Sequence, residues 1–94
     1  MITLPIADTD ATILLEVLAS LPEREGVIRA VATAPARGAI RHVSLSKPDA
    51  EWLQDHLTPF HRSLLESRKR SGKDRRLLRT LNRVIPVLAY RLER

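Results

Sequence analysis

Between residues 77 and 92 the apolar side chains Leu77, Leu78, Leu81, Val84, Ile85, Leu88 and Leu92 recur at steps of three and four. On a helix turning 100° per residue they fall within an arc of about 120°, a stripe that is buried by docking the helix along one side. Arg75, Arg76, Arg79 and Arg83 fall within an arc of about 100° on the opposite side. A helix from about residue 74 to residue 93 is therefore expected, with a kink at Pro86, which lacks a backbone donor and crowds the carbonyl of Asn82. Its stripe of Leu77, Leu81, Val84, Leu88 and Leu92 must face either the core or a second copy of the chain.

The stretch before it is also helical in character. Ser46 is placed to cap a helix opened by Lys47-Pro48-Asp49, with Trp52, Leu53 and Leu57 on its apolar side. Thr58-Pro59 is expected to restart that helix, with Phe60, Leu64 and Leu65 continuing the face, and SGKD at 71–74 to break it.

The N-terminal half mixes two periods. MITLPI alternates like a short strand, and Pro5 suits an edge position. Thr9 or Asp10 can cap a helix in which Ile13, Leu14, Val17, Leu18 and Leu21 form one stripe. Residues 27–46, VIRAVATAPARGAIRHVSLS, admit two readings. VIRAVAT and AIRHVSL are rich in β-branched residues around a Pro- and Gly-containing turn, which gives a hairpin. Alternatively Ser20-Leu21-Pro22-Glu23 is a capping box, and Val27, Ala30, Val31 and Ala34 share a helical face that Gly26 weakens. We take the hairpin as the expectation. The fold class is then α+β: one small domain over residues 1–94, a βαββ-like half over 1–46 and two or three helices over 47–94. An all-α, helix-turn-helix-like arrangement is the alternative.

Each reading carries a resemblance. ITLPIADTDATILLEVLASL followed by GVIRAVATAP and AIRHVSLS resembles the opening βαββ of an ACT-type, ferredoxin-like regulatory domain. It departs from that pattern at Ala11 and Thr12, where a Gly is usual after the acidic turn, so no amino-acid ligand site is carried over. LASLPEREGVIR resembles the start of region 4 of sigma factors, and LSKPDAEWL resembles the segment that leads into the recognition helix of winged helix-turn-helix repressors. Here Ser44 replaces the usual turn Gly, and Arg41 falls where a small residue is usual.

A chain of 94 residues holds one core. Trp52, Phe60 and Tyr90 are its only aromatics, so that core rests on Leu, Val, Ile and Ala, and a dimer or bound partner is a plausible source of further burial. The absence of cysteine removes disulfides, thiol catalysis and cysteine-bound metals. MITLPIADTD lacks the basic start and apolar run of a signal peptide, and no apolar run approaches a bilayer span. A cytoplasmic protein is expected.

Charge divides sharply along the sequence. Residues 1–61 hold five basic and eight acidic residues, a balance of −3, whereas residues 62–94 hold eleven basic and three acidic, a balance of +8. In that second part Arg outnumbers Lys nine to two, and the planar guanidinium fork matches phosphate oxygens. Arg68, Lys69, Arg70 and Lys73 widen the field ahead of Arg75, Arg76, Arg79 and Arg83. With few carboxylates interleaved, these charges repel one another until a polyanion arrives. The expected function is non-enzymatic nucleic-acid binding of a regulatory kind, with duplex DNA or structured RNA as partner and the phosphate backbone as the contact. Stacking on single strands is disfavoured because Tyr90 is the sole aromatic near the basic face. Asn82 and Arg41 are the candidates for reading bases.

The alternative is a protein-interaction module, an inhibitor or adaptor whose basic helix binds an acidic protein surface. Homodimerisation through the leucine stripe is a further possibility. A membrane-surface helix is the weakest option, since this helix has no Trp or Phe to anchor it.

No catalytic residue, cofactor or metal is expected. The GK of RSGKDRR fails as a phosphate-binding loop, because Ser67 and Asp74 stand where Gly and Ser or Thr are required. His56 and His61 are five apart, which misses helical ligand spacing even with Glu51 and Asp55 nearby. The serines lack an elbow motif, and the pairs Asp8/Asp10 and Glu23/Glu25 read as helix N-terminal charges.

Overall fold

A computed structural model describes residues 1–69 and 71–93. The elements run β1 (Ile2–Ala7), α1 (Asp8–Ala19), α2 (Glu25–Ala32), β2 (Ala36–Arg37), β3 (Ile40–Leu45), α3 (Lys47–Glu66) and α4 (Gly72–Leu92). The fold is α+β: a three-stranded antiparallel sheet in the order β1-β3-β2, packed against helices.

Alternation explains the sheet. Leu4 pairs with Val43 and Ile2 with Leu45. Leu4, Ile6, Val43 and Leu45 are buried on one face, while Thr3, Pro5 and Ser44 are exposed on the other. The His42 N–H donates to the Pro35 carbonyl, so His42 turns its backbone towards β2. Its partner Pro5 therefore faces the free edge of β1, where its missing N–H removes a donor that another strand could use.

Residues 25–32 overturn part of the hairpin expectation. VIRAVA is helical, and the strand paired with the start of β3 is only Ala36–Arg37. Val27 and Val31, one helical turn apart, are both fully buried, and α2 packs on β3, α1 and α3. Burial of that pair overrides the β-preference of the side chains. The Ser20–Glu23 capping box does not form: α2 begins after Arg24 with no side-chain cap, and Ser20 ends α1. Gly26 has a packing role, because a Cβ there would lie 2.9 Å from Asp49 Oδ2, where α3 approaches α2. Two strands separate α2 from α3, so these two helices do not form a helix-turn-helix.

The C-terminal helices follow the sequence in the Ser46 cap and the leucine stripe, while Leu65, expected on the buried face of α3, is exposed. The Ser46 hydroxyl accepts from the Asp49 N–H, as a cap should. Thr58-Pro59 does not restart α3, which runs unbroken through Pro59. α4 starts earlier than expected, at Gly72, because Ser71 and Asp74 form a reciprocal capping box. Leu77, Leu81, Val84 and Leu88 are buried in this chain's own core, and Leu92 packs partly buried against it. A second copy of the chain would have to use other surface. No helix among the described residues is long and apolar enough to cross a membrane.

Candidate polyanion-binding face

α4 leaves its arginines outside because its leucines fill the core. Arg75, Arg76 and Arg79 are exposed, as are Lys73 in its first turn and Arg68 and Lys69 in the connector before it. Arg70 lies outside the described residues. Among the described residues the ion pairs are Arg24–Asp49, Arg29–Glu25, Arg41–Asp8 and Arg83–Asp10. Asp49, Glu25 and Asp8 are thus matched by arginines of the N-terminal half. Among the described residues Asp10 is the one carboxylate in an ion pair with an arginine of the basic helix, so Lys73, Arg75, Arg76 and Arg79 have no ion-pair partner there.

Among the described arginines read as backbone contacts, Arg83 is the exception. Its Nη1 donates to Asp10 Oδ1 at 3.3 Å and to Oδ2 at 3.2 Å, and the Thr80 hydroxyl donates to Asp10 Oδ1 at 2.9 Å. Asp10 is 6% exposed and Arg83 58% exposed at the side chain, so the pair anchors α4 to α1 while the guanidinium still meets solvent. A guanidinium has five N–H donors; two belong to Nη1, and three are left for other acceptors.

The three arginines Arg76, Arg79 and Arg83 line a groove of about 350 Å³ between α4 and the first turn of α1. Thr9, Asp10 and Ile13 form its α1 wall, and the buried Thr80 contributes to the α4 side. Arg75 lies about 100° around the helix from Arg76 and lines no part of this groove. The arginine arc is therefore divided: one part lines a cleft and the other lies on open surface.

The residues considered for reading bases are engaged elsewhere. Asn82 Oδ1 lies 2.7 Å from His61 Nε2, which ties α4 to α3, and Arg41 is paired with Asp8. His56 Nδ1 lies 2.9 Å from the Trp52 carbonyl oxygen and its ring stacks on that indole, with Arg24 over the same ring. No group of three or more His, Asp or Glu side chains among the described residues could hold a metal ion.

The sequence assigns no site role to Thr9, Asp10, Ile13 or Thr80: Thr9 and Asp10 read as helix caps or terminal charges, although α1 begins at Asp8 with no side-chain cap, and Ile13 reads as part of the apolar stripe. Thr80 offered a faint signal, since it falls between the leucine and arginine arcs on the helix. Asp10 offered none, because its partner is 73 residues away. Compared with protein-family models, with curated proteins and with solved structures, the chain matches none.

Proposed function

We propose that this protein is a non-enzymatic nucleic-acid-binding protein that contacts the phosphate backbone of duplex DNA or structured RNA through the arginine face of α4. The observation that carries the reading is the set of exposed cations on one helix that have no ion-pair partner among the described residues: Lys73, Arg75, Arg76 and Arg79, with Arg68 and Lys69 beside them. A helix docked by five buried leucine and valine side chains holds the backbone positions of its arginines fixed relative to one another, and the planar guanidinium fork suits phosphate oxygens. The engagement of Asn82 and Arg41 elsewhere favours backbone contact over base reading.

Fluorescence anisotropy of a labelled duplex and an RNA hairpin, titrated at several salt concentrations, tests this. Four phosphate contacts give a log-affinity against log-salt slope of roughly −3 to −4. Replacing Arg75, Arg76 and Arg79 together by Gln flattens that slope by about 3, since each cation contributes about 1. Absence of salt-dependent binding to any nucleic acid overturns the proposal. A partner recovered in a pull-down after nuclease treatment would point instead to an acidic protein surface.

A further inference from the structure

The groove between α1 and α4 differs in charge from the open face beside it. Arg76, Arg79 and Arg83 bring three positive charges, and Asp10 brings one negative charge whose two oxygens already accept from Thr80 and Arg83. The net is +2 in a concave space of about 350 Å³. A backbone phosphodiester carries one negative charge, whereas a phosphomonoester carries roughly −1.5 to −2 at neutral pH. Fixed donors further favour one compact anion. Arg83 is held through Nη1 by a buried carboxylate, so its remaining donors are pre-positioned, and Thr9 adds a hydroxyl at the rim.

We infer that this groove binds a single phosphomonoester group, held by Arg76, Arg79 and the free N–H groups of Arg83, with Asp10 as the residue that positions Arg83. The inference rests on the same arginine face as the nucleic-acid reading and names for it a distinct ligand, a terminal phosphate. The same group could arrive on a nucleic-acid end or as a free phosphate ester.

The experiment follows the intact protein by heteronuclear NMR, observing Thr9, Thr80 and the arginine Nε–H signals. Inorganic phosphate should produce saturable shifts at the groove, and dimethyl phosphate, a diester monoanion, should bind about tenfold more weakly or worse for want of one charge-assisted hydrogen bond. The double variant Arg76→Gln with Arg79→Gln, both exposed and away from the core, should lose phosphate binding by tenfold or more on the same argument. Arg37→Gln with Lys47→Gln removes equal charge elsewhere and should leave it intact. Tighter binding of a 5′-phosphorylated duplex than of its 5′-hydroxyl twin supports a nucleic-acid end as the source; equal binding alongside saturable phosphate shifts supports a free ester. Unsaturable shifts, equal affinity for the diester, or full affinity in the Arg76/Arg79 variant overturns the inference. Duplex binding without phosphate binding rejects the groove while leaving the backbone reading intact, and phosphate binding without duplex binding does the reverse.

Discussion

Asp10 accepts hydrogen bonds from a buried hydroxyl and from a guanidinium, and its side chain is almost wholly withdrawn from water. A carboxylate so placed is stable only while its donors remain, and Thr80, itself 1% exposed, depends on it in return. Asp10→Ala strands the Thr80 hydroxyl and should lower stability by about 1–3 kcal/mol. Asp10→Asn keeps an acceptor for Thr80 and loses only the charge, so about half that loss is expected. Urea denaturation of the three proteins checks the order; equal midpoints for Asp10→Ala and the parent would show that the contact contributes nothing. At this scale little was legible in advance. Ser46 could be assigned because a cap is read within four residues, and its bond to the Asp49 N–H is present. The Asp10–Arg83 pair joins the first helix to the last, and nothing local in either segment announces it.

At the scale of the element, α3 and α4 raise the same question: why a helix runs through an interior proline. Pro59 and Pro86 are both exposed, and Pro86 lies nearly opposite the centre of the leucine arc at 100° per residue. The carbonyls of Asp55 and Asn82, deprived of an amide partner, belong to residues that are also exposed and can be hydrated there. Core packing on the other side holds each helix together across the gap, through Leu81, Val84 and Leu88 in α4 and through buried Leu57 with partly buried Phe60 and Leu64 in α3. Pro86→Ala restores the donor to the Asn82 carbonyl. It should raise stability by about 1–2 kcal/mol after the unfolded chain's gain in freedom is subtracted, read as a higher thermal midpoint. No gain would mean that the helix has already relaxed around the proline. The break expected at Thr58-Pro59 did not occur because the sequence names the residue but not which side of the helix meets water. The segment VIRAVA misled for a related reason: its β-branched residues suit a strand, while the spacing of Val27 and Val31 suits a helix, and tertiary burial decided between them.

On the scale of the whole molecule, the arcs of α4 were the most legible feature, because their period lies within one element. Their surroundings were not. The division of the arginine face into a cleft and an open surface arises from where α1 happens to dock. That docking also bears on how the two halves of the chain relate. α4 packs on α3, α1 and β1, and Leu77, Leu81, Val84 and Leu88 share one core cluster with Leu4, Ile6, Leu14 and Val43. The radius of gyration, 12.6 Å, is close to the roughly 12 Å of a single compact domain of this length. Residues 1–46 alone would lose the cover of α4 over β1 and α1, and residues 47–94 alone would expose two apolar stripes, so the one core is complete only when both halves are present. Separate peptides of the two halves should therefore lack stable structure, while an equimolar mixture recovers part of the helical circular dichroism. In the intact chain, Trp52 fluorescence and far-ultraviolet dichroism should lose signal in one coincident transition in urea. Two separated transitions, or a folded 47–94 peptide, would mean that α4 is held by α3 alone, and the cleft between α1 and α4 would then be too weakly fixed to preorganise its arginines.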